Sequence, residues 1–176
     1  MDFVFLPREK YEYHELHYTY TSDQYYKVDV RNSKGNFGFS FERVNLDIPY
    51  SHDSYDTLYQ PYFADCEAYA AVENGEILGY IEIDREHWNS RLRITNLLVD
   101  EKHRGQGIGR FLVNEVSKIA RCEDFRLIVL ETQTCNTPAV DFYLSMGFTF
   151  AGTNLFFYSN VDIEEKEVMI EMVKFL

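Results

Sequence analysis

Basic residues are scarce in this chain: 17 Lys and Arg stand against 29 Asp and Glu, a net charge of −12. Non-specific nucleic-acid binding needs clustered Lys and Arg to displace counterions, so the charge argues against such a partner. It argues, more weakly, against docking on an anionic membrane. Apolar runs are short as well. None approaches the ~18 residues of a membrane span, and no basic-then-apolar leader opens the chain. Cysteine is rare: Cys66, Cys122 and Cys135 are odd in number and show no metal-pair spacing, so no metal site is expected and a reducing cytoplasm fits best. There is no Gly-, Ser- or Pro-rich linker and no repeat, which makes residues 1–176 one expected domain.

What is present is an ordinary globular composition, 45% hydrophobic and 26% charged, on a chain long enough for a sizeable core. Tyrosine is abundant, and most of it falls in the first 70 residues. An acidic surface either attracts a cation such as an amine or simply keeps the protein soluble.

Met1 to Tyr20 has no clear periodicity and receives no assignment. Tyr25–Arg31, the turn residues Asn32-Ser33-Lys34-Gly35, and Phe37, Phe39 and Phe41 at period two predict a hairpin. From Leu46 to Tyr62 the polar, acidic, Tyr-rich sequence reads as short helix or loop. Ala68–Glu73, Asn74-Gly75 and Ile77–Asp84 predict a second hairpin with a type I′ turn. Leu92–Val99 reads as a buried strand. Ile108, Leu112, Val116, Ile119 and Ala120 mark one helix face, and Leu127–Leu130 a central strand. Thr137 as N-cap and Pro138 as first residue open a second helix that Gly147 ends. Phe148–Tyr158 and Glu167–Phe175 read as closing strands. The order predicts a mixed α/β sheet with a parallel crossover in its middle.

Between that buried strand and the first helix lies Arg104-Gly105-Gln106-Gly107-Ile108-Gly109. Glycines there let backbone approach a ligand, and the free amides of a helix start favour an anion such as pyrophosphate. The Walker pattern fails, because no Gly-Lys-Ser/Thr follows. The dinucleotide fingerprint fails because Arg110 takes the place of the third glycine. Glycines serving only helix–strand packing are the plainer alternative.

Leu97-Leu98-Val99, four residues, then Arg104-x-x-Gly107-x-Gly109 resembles the signature of the GNAT superfamily of N-acetyltransferases. Asn136-x-x-Ala139-x-x-Phe142-Tyr143-x-x-x-Gly147-Phe148 resembles that family's later motif at its usual distance. The likeness covers residues 77–176. Within the superfamily, Leu130-Glu131-Thr132-Gln133, Trp88-Asn89 and Phe157-Tyr158 look most like streptothricin acetyltransferases. Residues 1–65 resemble that group only loosely and would form a variable, acceptor-side region beside an acetyl-CoA-binding core.

The resemblance implies a mixed central sheet, flanked by helices, whose fourth and fifth family strands splay apart. Leu97, Leu98 and Val99 would pair with pantetheine, and a main-chain N–H near Val99 would donate to the oxyanion. Gly105 and the amides of Gln106, Gly107, Ile108, Gly109 and Arg110 would meet pyrophosphate, with Arg104 beside it. Asn136 and Phe142 would flank the pantetheine arm, and Tyr143 would protonate the departing thiolate. A phenol of pKa near 10 suits that donation; spacing alone would favour packing with Phe142, and the surrounding motif favours the catalytic role.

Relatives often carry Glu or Asp in the middle of the fourth family strand, where this chain has Thr95 and Asn96. Glu131 and Glu82 are the remaining candidates for general base or for binding the substrate ammonium. Glu131 has the better case, and Glu82 is expected on a solvated strand face. The acidic, aromatic stretch Glu42–Glu67 suits either a cationic acceptor or a solvated helix. Three functions follow: N-acetylation of a small cationic amine of streptothricin type by a monomer or homodimer, acetylation of a protein amine, or non-catalytic acetyl-CoA binding.

Overall fold

The computed structural model describes residues 1–176. The chain opens with β1 (Asp2–Leu6) and the short helix α1 (Arg8–Tyr11), followed by β2 (Glu15–Ser33) and β3 (Asn36–Thr57). Next come β4 (Cys66–Glu73), β5 (Glu76–Glu86), β6 (Arg91–Val99), α2 (Ile108–Cys122) and β7 (Leu127–Gln133). The helix α3 (Thr137–Ser145), β8 (Thr149–Asn154), α4 (Asp162–Glu165) and β9 (Met169–Phe175) complete it.

Seven strands form one sheet in the order β1-β4-β5-β6-β7-β9-β8, and β2 with β3 forms a separate two-stranded ribbon. Every pair in the large sheet is antiparallel except β6 with β7, the parallel crossover expected in the middle. The β4–β5 turn places Asn74 at φ 51° and Gly75 at φ 81°, the two positive angles a type I′ turn requires.

Alternation sorts side chains between the sheet's two faces. Ala71, Ile81 and Ile83 join Leu112, Val116 and Ala120 of α2 and Tyr143 of α3 in the main core. Ala68 and Ala70 of β4 point the other way, into a smaller cluster with Leu16, Leu58 and Tyr59. The base of the ribbon and the turn after it therefore cover the second face.

The structure fills one gap in the sequence reading and corrects three expectations. The unassigned first residues contain an edge strand, β1. Residues 46–62 are mostly β3, not helix or loop: the register jumps from Ser22↔Tyr50 to Gln24↔Asn45, so residues 46–49 bulge outward. Pro49 cannot donate to a ladder, and this interruption obscured the period. The N-cap of α3 is Asn136, whose Oδ1 accepts from the Ala139 amide at 3.2 Å, one residue before the expected Thr137. The closing strands are also shorter than expected, with α4 between them.

The ribbon is tied to the rest of the chain by long-range bonds. The Tyr26 amide donates to the Thr134 carbonyl at 3.0 Å. Ser22 and Thr137 share a hydroxyl–hydroxyl bond at 2.5 Å. Arg43 donates both guanidinium arms to Asp141 of α3 at 2.7 and 2.9 Å.

Candidate active site

The site begins with a break in pairing. β6 and β7 are bonded only from Arg91↔Leu127 to Ile94↔Leu130, and then separate. At the same point the β5–β6 register steps from Ile83↔Ile94 to Glu82↔Asn96, leaving Thr95 as the extra residue of a bulge. Beyond it, Leu97, Leu98 and Val99 pair with Ile81, Tyr80 and Gly79 on one side and with no strand on the other. Gly79 is required there: a Cβ at that position would lie 2.7 Å from the Leu98 carbonyl oxygen. The splayed pair is thus made by a bulge, and it exposes backbone donors and acceptors.

Two recesses open along this gap. The larger, about 580 Å³, runs between Leu97–Val99, the glycine loop and the start of α3, and includes Arg104, Gly105, Gly107, Ile108, Gly109, Arg110, Asn136, Phe142 and Tyr143. Gly107 caps α2 at φ 87° and Gly105 sits at φ 77°, conformations that side chains rarely adopt. The first bond within α2 runs from the Phe111 amide to the Gly107 carbonyl at 2.9 Å. The amides of Ile108, Gly109 and Arg110 are therefore left free at a positive helix end. A Cβ on Gly109 would press 3.1 Å from the Phe142 ring, so this glycine serves helix packing as well. The Arg104 side chain bridges the Val99 carbonyl at 3.3 Å and the Thr19 hydroxyl at 3.4 Å. The Gln106 side chain instead turns back to the Lys102 carbonyl at 3.2 Å, leaving only its amide for the loop. A loop of this kind, with two arginines beside it in an acidic protein, fits a pyrophosphate, and the free edge of β6 fits an extended amide-bearing arm.

The second recess, about 310 Å³, lies between β3, β6 and β7. Glu131 stands at its floor and Asp56 on its ribbon side, with Tyr18, Tyr20 and Tyr55 around them. Glu131 stays open to water, yet the surrounding protein raises its carboxyl above the usual range, against the lowering influence of Arg93 and Tyr158. Tyr18, Tyr20, Leu97, Asn136, Ala139 and Tyr143 line both recesses, so the two meet at these side chains. Tyr143 is buried, and that burial alone raises its phenol above the usual value, keeping it protonated. Asn136 uses its Oδ1 as the α3 cap and keeps its amide group for a ligand.

The structure brings together the expected Leu97–Val99, the glycine loop, Asn136, Phe142, Tyr143 and Glu131. Glu82 is a correction. It is 0% exposed rather than solvated, because Leu58 and Tyr59 after β3 cover its face of the sheet. Its carboxylate lies behind the wall of the second recess and accepts from the Tyr59 amide, from Thr95 Oγ1 at 2.6 Å and from Asn96 Nδ2 at 3.0 Å. Sequence reasoning missed Tyr18, Tyr20 and His52. The Tyr18 hydroxyl donates to Asn96 Oδ1 at 2.7 Å, and the Tyr20 ring stacks on His52 at 4.8 Å. Their only signal was the density of tyrosine in the first third of the chain.

The sequence model of the acetyltransferase (GNAT) family matches residues 39–148, well over half of the chain. The chain is 29% identical over 160 residues to the streptothricin acetyltransferase of Streptomyces lavendulae, covering 86% of this chain and 82% of that one. It is 37% identical over 94 residues to the streptothricin acetyltransferase of Escherichia coli, about half of each chain. A solved nourseothricin acetyltransferase shares the fold at TM-score 0.76 and 23% identity, over 98% of this chain and 96% of that one. A Bacillus anthracis protein assigned as a streptothricin acetyltransferase, solved in complex with acetyl coenzyme A, does so at 0.73 and 22%, over 99% and 96%. This chain belongs to the GNAT family of N-acetyltransferases.

Proposed function

Starting from that membership, we propose that the chain transfers an acetyl group from acetyl-CoA directly to a primary amine of a small cationic molecule, with streptothricin-type antibiotics as the first candidate. The observation that carries this reading is the meeting of an anion-accepting recess with an acid- and tyrosine-lined one at Tyr143. Acetyl-CoA supplies an activated acetyl thioester and a pyrophosphate handle. Gly105 and the amides of Gln106 to Arg110 hold the pyrophosphate, with Arg104 beside it, and the free edge of Leu97–Val99 pairs with the pantetheine arm. Asn136 and Phe142 flank that arm where it reaches the second recess.

In that second recess, Glu131 and Asp56 draw in the ammonium, and the tyrosine faces add cation–π attraction. Bringing the amine to the thioester in one orientation supplies much of the rate. A main-chain N–H near Val99 donates to the developing oxyanion. Tyr143, which retains its proton, gives it to the leaving sulfur. The named relatives that acetylate streptothricin support the acceptor class.

Calorimetry with acetyl-CoA, followed by thiol release with streptothricin, polyamines, aminoglycosides and peptide amines, tests the reading. We expect binding and turnover with a small polycation. No acetyl-CoA binding at high micromolar protein would overturn the donor assignment, and turnover with peptide amines alone would overturn the acceptor class.

A further inference from the structure

A carboxylate, that of Glu82, stands directly behind the bulge residue Thr95. We propose that Thr95 takes the proton from the substrate ammonium and passes its own to the buried Glu82, so that the base acts through a threonine hydroxyl. This rests on the acetyl-transfer reading above and deepens it. The geometry points to the relay for three reasons. Thr95 lines the acceptor recess, whereas Glu82 does not reach it. Thr95 Oγ1 lies 2.6 Å from Glu82 Oε2, a distance suited to proton transfer between oxygens. And the bulge that frees Thr95 from the β5–β6 register is what turns this residue to face both groups.

Every hydrogen bond of Glu82 is one in which it accepts. An ionised carboxylate is an acceptor only, and each of its partners donates: the Tyr59 amide, the Thr95 hydroxyl and the Asn96 amide group. Asn96 is fixed in that sense because its oxygen already accepts from Tyr18 at 2.7 Å. No salt bridge ties Glu82 to a basic side chain. The titratable groups whose protonation senses its charge are Tyr18 of β2, Tyr59 and Tyr62 of the turn after β3, and Cys66 of β4, all neutral when protonated.

The protons balance. The ammonium loses its first proton to Thr95 Oγ1 as the Thr95 proton moves to Glu82, and the neutral nitrogen then forms the N–C bond to the acetyl carbon. The C–S bond breaks with a proton from Tyr143 to sulfur, and the second proton leaving nitrogen restores the Tyr143 phenol. Glu82 returns its proton through Thr95 to water when the amide product departs. One proton ends on the thiol and one in solvent. Thr95 is the catalytic residue of this relay, and Glu82, acting through it, is a positioning residue that stores the proton.

Thr95→Val keeps the shape and removes the hydroxyl, while Thr95→Ser keeps the relay. With the amine that the wild type turns over, Thr95→Val should lower kcat/KM about 100-fold at neutral pH with acetyl-CoA affinity unchanged. The deficit should shrink as pH rises toward about 10, where a lysine-like amine loses its proton unaided. Thr95→Ser should restore most of the rate, and Glu82→Gln, if it folds, should share the Thr95→Val profile. A Thr95→Val deficit that is equal at every pH, or no deficit at all, overturns the relay while leaving acetyl transfer standing. A wild type that acetylates no amine overturns both.

Discussion

The two recesses are made in different ways. The larger offers backbone for recognition: the free edge of Leu97–Val99, two glycines at positive φ, and the first amides of α2. The smaller is walled by side chains drawn from four separate strands, with Tyr18 and Tyr20 from β2, Asp56 from β3, Thr95 from β6 and Glu131 from β7. A backbone-made site recognises what is common to every donor molecule, a phosphate and an amide arm, and tolerates drift in side chains. A side-chain-made site can be retuned residue by residue to a new acceptor without disturbing the donor side. Tyr143 is one of the side chains lining both, on which the two halves must agree.

The largest effect should therefore come from Tyr143. Tyr143→Phe removes one oxygen from a buried ring and leaves its packing against Phe142 and Phe148 in place. Turnover should fall about 100-fold, the low end for loss of a general acid, with little change in acetyl-CoA affinity. Steady-state kinetics beside calorimetry checks this. An unchanged rate would mean that the ring only packs.

How much could be read in advance follows the same division. The donor side is local in sequence: the loop and its helix start lie within a few residues, so the glycines could be picked out there, and Asn136 and Tyr143 through the resemblance of their short motif, although the α3 cap was expected one residue later, at Thr137. The acceptor side is held by contacts such as Tyr18 to Asn96, 78 positions apart, and Tyr20 to Cys135, 115 apart. No window spans them. Glu82 misled for a related reason. Its alternation suggested a wet face, but the cover comes from Leu58 and Tyr59, beyond a ribbon whose bulge at 46–49 hid its length.

Gly107 gives the next effect and tests whether the backbone of the loop recognises the donor. A Cβ there meets no protein atom within 4 Å, so Gly107→Ala costs the fold only the left-handed backbone, about 1 kcal/mol. Gly75 in the β4–β5 turn is a matched control, with φ 81° and open space around its Cβ. Both variants should lose a few degrees of Tm. Only Gly107→Ala should also weaken acetyl-CoA binding, by about tenfold, in calorimetry. Equal affinity in the two variants would place the pyrophosphate elsewhere.

The smallest effect belongs to Glu131, and it carries a pH signature. Partial desolvation by the surrounding protein raises this carboxyl above its usual range, so it takes up a proton earlier than an ordinary glutamate as pH falls. Neutral Glu131 no longer attracts the ammonium, which stays charged throughout. The amine KM should therefore climb as pH falls, beginning above the ordinary value near 4.3. Glu131→Gln should raise KM at pH 7 by no more than about fivefold, the yield of one water-exposed ion pair, and should flatten that rise. KM for acetyl-CoA should not move in either case. If the acid-side rise persists in Glu131→Gln, the acceptor is held by Asp56 rather than by the carboxylate at the recess floor.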